Sequence, residues 1–202
     1  MARPRAQDYD QKRRIILKTA TQLFARHGFD RASIASVAAE CGVSKALLYH
    51  YYDSKEALLF DILRTHLEEL NQALAEIDDP GLPPERRLHL LVHQLLECYR
   101  DADDEHRVQI NAMSTLPPDL AEGLRGLERQ LVNHFSTVLL GVNPALQDER
   151  HMLKPVTMSF FGMLNWVYLW FRPDGPISRE DYADLATKLI LEGVRAVGSE
   201  KA

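Results

Sequence analysis

Two cysteines in 202 residues, Cys41 and Cys98, with no Cys-x-x-Cys between them, leave no material for a disulfide framework and fit a reducing cytoplasm. The polar, basic start has no apolar stretch of the kind a signal peptide needs. The longest apolar region, 158–171, is interrupted by Ser159, Gly162 and Asn165 and is too short to cross a bilayer. Gly-rich phosphate loops, His-Glu-x-x-His and Gly-x-Ser-x-Gly are all missing. The paired acids at 78–79 and 103–104 sit in predicted turns, where solvation suffices. The expectation is a soluble, cytoplasmic, non-enzymatic chain with no catalytic residue, no cofactor and no membrane partner. Alternating strand patterns and internal repeats are also lacking, which leaves helices.

The helical pattern is nearly continuous. It predicts an all-α fold of about nine helices, a small three-helix head on a larger bundle. The first helix is expected over 8–27, with Ile15, Ile16, Thr19, Leu23 and Phe24 inward and Gly28 as its stop. Ser33 then caps a helix containing Ile34, Val37, Ala38 and Cys41; Gly42 ends it. Ser44 caps the next, 45–51, and Ser54 a long fourth helix. The breaker at 78–84 is the best internal boundary. Further helices are expected near 84–101, 104–115, 118–140, 145–171 and 178–197, with a kink or break at Pro155. The division read from this pattern is a head over 1–55 and a second domain over 56–202.

A net charge of −5 conceals an asymmetry. Residues 1–58 carry ten Lys/Arg against six acids, a net of +4, and the remainder carries −9. That is the pattern of a chain with one end facing a polyanion. The same basic end holds two short helices joined by Gly42-Val43, the spacing of a helix-turn-helix. Gly42 supplies the positive φ of the turn. Val43 and Leu48 face inward.

The run RRIILKTATQLFARHGFDRASIASVAAECGVSKALLYHYYDSKEALL, 13–59, resembles the DNA-binding head of the TetR/AcrR family of bacterial transcriptional regulators. LFARHGFDRASI, GVSK, LYHYY and SKEAL carry the likeness. The resemblance implies double-stranded DNA as partner, with Ser33 and Ser44 at helix starts. It implies Lys45 and Ala46 at base edges, Tyr49 and His50 on phosphates, and Lys55 as a second backbone clamp. Tyr51 and Tyr52 are assigned mostly to packing. Many relatives carry Arg at the place of Ala35 and Thr at that of Leu47, so the operator sequence does not carry over. Arg3, Arg5, Lys12, Arg13 and Arg14 form either a DNA-reaching arm or a basic tail.

A head of this size reads one half-site, so the resemblance also implies a homodimer on a palindromic operator. In the family the last two helices pair across a two-fold axis. Here Phe160, Leu164, Val167 and Tyr168 in one, and Tyr182, Leu185, Leu189 and Gly193 in the other, recur at helical spacing. Intrachain core is the other reading of both stripes. The family's effector pocket would draw on Leu95, Tyr99, Met113 and Met158, with Phe161, Asn165, Trp166 and Trp170. Plain core is again the alternative. The run NWVYLWFRPDGPISREDYADL, 165–185, resembles the branch responding to acyl-CoA thioesters, for whose phosphates Arg100, Arg107, Arg125 and Arg129 are available. An acyl-CoA, another apolar or aromatic small-molecule effector, or none at all, remain open. In the last case the protein is an architectural or interaction factor on DNA. Repressor action is the family's habit. His89, His93 and Glu97, spaced i, i+4, i+8, have metal-ligand types but fall on the polar flank of their helix, so a solvated face and no metal are expected.

Overall fold

The computed structural model describes the backbone of residues 3–147 and 151–197, and within these the side chains from residue 8 onward. The side chains of Arg3 and Arg5, and residues 148–150 of the helix expected over 145–171, lie outside the described residues. The described residues form α-helices and two 3-10 turns, with no strand among them. The helices are α1 (Arg3–His27), α2 (Ile34–Glu40), α3 (Lys45–Tyr51), α4 (Lys55–Ile77), α5 (Pro84–Cys98), α6 (Asp103–Ala112), α7 (Pro118–Val142), α8 (Leu153–Asn165), α9 (Val167–Trp170) and α10 (Arg179–Ala196). α8 and α9 are parts of one helix interrupted at Trp166, so the expected all-α order is observed. Two compact units result: Met1–Leu67 with Ala102–Gly126, and Glu68–Asp101 with Leu127–Ala202.

In the first unit, α1 packs against α6 and α2. Its buried stripe is Ile16, Leu17, Ala20, Thr21 and Phe24, rotated from the expected one, and Ile15 is exposed. Thr21 tolerates burial because its hydroxyl donates to the Leu17 carbonyl at 2.9 Å. α1 begins at Arg3, ahead of the expected start. It ends where Gly28 takes φ +82°, with its N–H on the Phe24 carbonyl at 2.9 Å.

In the second unit, α10 lies along α5 and also touches α8. α5 buries Leu88, Leu91, Val92, Leu95 and Leu96; α10 contributes Ala183, Ala186, Ile190 and Val194. The two alanines let the helix backbones approach closely. Phe135, Phe160 and Phe161 form an aromatic trio with centroids 5.1–5.7 Å apart. Asn143, just past α7, donates to the carbonyls of Val194 (2.7 Å) and Val197 (2.9 Å), satisfying the end of α10. The helix expected from 145 instead starts at Leu153, so the expected interruption lies just ahead of Pro155. Pro155 itself lies in the first turn of α8, where a backbone N–H has no helical acceptor to lose.

Candidate nucleic-acid interface

Local capping places α2 and α3. The Ser33 hydroxyl accepts from the Ser36 N–H at 3.0 Å, and the Ser36 hydroxyl accepts from the Ser33 N–H at 2.9 Å, a reciprocal box. Ser44 does half of this for α3, accepting from the Leu47 N–H at 3.1 Å. Between them Gly42 takes φ +66°, and Val43 returns its N–H to the Ala38 carbonyl at 3.0 Å. Leu48 is fully buried, so the opposite side of α3 must face solvent. That side carries Ser44, Lys45, Ala46, Tyr49 and His50, all exposed, with the Lys45 ammonium 5.6 Å from the Tyr49 ring centre. Ser33 and Ala35 are exposed at the start of α2.

The aromatic row divides as expected. Tyr52 is buried and Tyr51 stacks on Tyr9 of α1 with centroids 4.6 Å apart, while Tyr49 and His50 point outward. Behind the face stands an ionic cluster absent from the sequence reading. Arg13 grips Asp61 through both carboxylate oxygens, at 2.9 and 2.7 Å, and reaches the Thr65 hydroxyl at 3.2 Å. The Tyr52 hydroxyl and Arg64 also donate to Asp61, each at 2.7 Å. Burial by itself pushes the Asp61 carboxyl up, but bonds from Arg13, Tyr52 and Arg64 outweigh it and the net shift is downward. Burial, then the bond to Asp61, pushes the Tyr52 phenol well above its ordinary range. The signal that would have revealed this was an acid inside the apolar run LLFDIL.

Two expectations change here. Arg13 is not part of a free arm, because its guanidinium is committed to Asp61; Lys12 pairs with Asp8 at 2.8 Å within the same helix. Lys55 is turned inward. Its ammonium donates to the carbonyls of Phe29 (2.8 Å) and Ala32 (3.0 Å) and sits 4.1 Å over the Phe29 ring. It closes the α1–α2 turn, a long-range role that a sequence position does not reveal.

The expected pocket residues are divided between the two units and differ in burial. Leu95, Tyr99 and Phe161 are buried in the second unit, where the Tyr99 hydroxyl donates to Asn165 Oδ1 at 2.9 Å. Met113 belongs to the first unit. Met158, Trp166 and Trp170 are about half exposed. None of these lines the ~330 Å³ cleft beside α5 and α10, which His93, Glu97, Arg100, Arg179 and Glu180 border instead. Arg100 and Arg125 are paired with Glu97 and Glu122.

The expected pairing stripes are likewise redistributed. Phe160, Leu164 and Val167 are buried within the chain, and Tyr168 and Tyr182 are half-buried, the latter donating to the Met163 carbonyl at 3.0 Å. Leu185, Leu189 and Gly193 are exposed on α10. Exposed with them on α8 and α9 are Met158, Gly162, Trp166, Leu169 and Trp170. Helical spacing marks an apolar stripe but not which edge of a broad stripe meets its own chain. Among the described residues, no helix is long and apolar enough to cross a membrane.

Comparison with known proteins agrees with this geometry. Residues 16–62 match the family model described as bacterial regulatory proteins, tetR family, and 81–194 match the tetracyclin repressor-like C-terminal domain. A TetR-family regulator of Bordetella parapertussis superposes with TM-score 0.83 at 34% identity, covering 94% of this chain and 98% of that one. The transcriptional repressor KstR2 of Rhodococcus jostii is 26% identical over 202 residues, covering 96% of this chain and 98% of KstR2. AibR, solved with isovaleryl coenzyme A and operator DNA, shares the fold with TM-score 0.77 at 24% identity, covering 88% of this chain and 97% of AibR. Matches to the Bacillus subtilis regulators YerO and YuxN, each 33% identical, cover 47% and 43% of this chain and span 34% and 31% of those proteins.

Proposed function

We propose, for a chain that belongs to the TetR family of bacterial transcriptional regulators and is a DNA-binding regulator rather than an enzyme, that it acts as a cytoplasmic homodimeric repressor released from a palindromic operator by a small-molecule effector. The observation that carries the DNA reading is the solvent face of α3. Ser44, Lys45, Ala46, Tyr49 and His50 stand exposed on a helix fixed from behind by Leu48. In this reading Lys45 and Ala46 meet base edges, Tyr49 and His50 bond phosphates, and Ser33 offers its helix start to the backbone. Residues 1–55 act as the reading head and 56–202 as the effector and pairing domain.

Pairing would use the exposed apolar faces of α8, α9 and α10. Gly162 and Gly193 support this, since a Cβ built on either meets nothing within 4 Å, leaving room for a partner helix. For the effector, an acyl-CoA thioester is the sharpest candidate, from the likeness of 165–185 and from AibR's own bound ligand. The Tyr99–Asn165 hydrogen bond would be the polar group of the pocket, with Leu95 and Phe161 one turn before each partner on the same helix faces. The tight burial of those two side chains favours a second reading, a DNA-bound factor without an effector.

Fluorescence anisotropy on DNA from upstream of the protein's own gene tests all of this. Salt-sensitive binding released by a thioester, but not by free CoA or the free acid, is the expected result. Binding that no thioester disturbs removes the acyl-CoA reading, and no preference for that DNA over random duplex removes the operator.

A further inference from the structure

The stripe His89-His93-Glu97 on α5 reads from the sequence as a solvated face. The side chains are arranged otherwise. Glu97 turns away and is held by Arg100 through both carboxylate oxygens at 2.7 Å. Its place is taken from another helix by Asp184 of α10, whose Oδ1 lies 2.9 Å from His89 Nε2 and 2.7 Å from His93 Nε2. The two imidazoles lie with centroids 4.2 Å apart and planes 30° apart, both aimed at the same point. The ligating atoms of all three residues fall within 4.8 Å of one another.

We propose that His89, His93 and Asp184 bind a divalent transition-metal ion, zinc in the first place, which ties α5 to α10. Two imidazole nitrogens, which are borderline donors, beside one carboxylate oxygen match zinc and its neighbours and match poorly magnesium or calcium, which take all-oxygen shells. Histidines at i and i+4 project from one helix face, so the backbone of α5 sets their separation before any ion arrives. The fourth position opens to solvent or to Glu180, one turn before Asp184 and on the wall of the cleft that His93 also lines.

An ordinary His–Asp–His hydrogen-bonded pair is the rival explanation, and the distances discriminate in part. Tetrahedral bonds of 2.0–2.1 Å put donor atoms about 3.3 Å apart. The 2.7–2.9 Å separations are therefore those of the metal-free, hydrogen-bonded form. The change to the metal form is small, because the Asp184 side chain is 60% exposed and needs only to rotate outward by a fraction of an ångström. Arg86 Nη1 lies 3.5 Å from His89 Nδ1 and must swing aside when Nε2 ligates and Nδ1 carries the proton.

The site is independent of the effector and operator readings, and its test uses the full chain without an affinity tag. Zinc titrated against a competing chelator is expected to bind one ion per chain and to raise Tm. Cobalt at the same site is expected to give the visible bands of a four-coordinate ion without the near-ultraviolet thiolate charge-transfer band that Cys41 or Cys98 would produce. His89→Gln, His93→Gln and Asp184→Asn should each remove the saturable binding and the zinc-induced rise in Tm while keeping the helical circular dichroism of the parent and a cooperative metal-free transition. Glu97→Gln should keep it. Absence of saturable binding in the parent overturns the proposal, as does survival of binding in a His89→Gln/His93→Gln double variant. Loss of binding in Glu97→Gln with retention in Asp184→Asn would equally overturn the assignment.

Discussion

Lys45 and Lys55 are ten residues apart in the same basic head, yet their surroundings give them opposite tasks. Lys45 is exposed above Tyr49, whereas Lys55 satisfies two backbone carbonyls at the end of the α1–α2 turn. Lys45→Ala is expected to reduce the slope of log affinity against log salt by about one, the loss of one released counterion. Lys55→Met should leave that slope unchanged and instead lower unfolding stability by about 1–3 kcal/mol, because two part-buried carbonyls lose their donor. Anisotropy at several salt concentrations and urea unfolding separate the two; an equal fall in slope for both variants would return Lys55 to the phosphate contacts. A second single-residue effect concerns His66 of α4. Burial first, and the nearby His106 second, lower its pKa from 6.5 to about 4. A base with a depressed folded pKa is protonated more readily in the unfolded chain, so its contribution is whole above pH 6.5 and drains away as pH falls toward 4. At 1.36 kcal/mol per unit the loss approaches ~3 kcal/mol. Stability measured from pH 7 to 4 should fall more steeply in the parent than in His66→Leu; parallel profiles would contradict the assignment.

Among the elements, Gly141 of α7 depends on close approach. A Cβ there would sit 2.8 Å from Pro84 Cγ and 3.1 Å from its Cβ, against a ring that cannot rotate away. Gly141→Ala should therefore destabilise by about 1–3 kcal/mol through overpacking, against the usual gain of alanine in a helix, as thermal or urea unfolding would register. An unchanged or raised midpoint would mean that α5 and α7 shift apart at no cost. How much was legible in the sequence follows the same divide between local and distant causes. Gly28, Gly42, Ser33, Ser44 and Ser54 announce helix ends within four residues of themselves, and α2, α3 and the start of α4 stand where those signals put them. The inward turn of Lys55, the commitment of Arg13 to a carboxylate 48 residues away and the supply of Asp184 to two histidines on α5 depend on partners that no local window contains. The pairing and pocket stripes were legible as apolar helical spacing, but not as a division between buried and exposed sides. α8 is apolar around much of its circumference, so periodicity did not separate Phe160 and Leu164, which are buried at home, from Met158 and Trp166, which are not.

At the level of the whole molecule, the exposed apolar faces of α8 to α10 are the feature that a lone chain would not be expected to keep. Leu189→Glu, at a side chain 55% exposed, should leave the helical content intact but shift sedimentation toward the monomer and weaken operator binding. A variant that still sediments as the parent would move the pairing surface elsewhere. The interruption at Trp166 has one more consequence. The chain contains two tryptophans, Trp166 at the interruption and Trp170 at the end of α9, both about half exposed. Excited at the red edge of absorption, where its seven tyrosines do not absorb, the chain therefore emits from these two side chains. A red-shifted, readily quenched spectrum would mark the solitary chain and a blue shift on concentration would mark its cover, so the proposed pairing would report itself optically without a label.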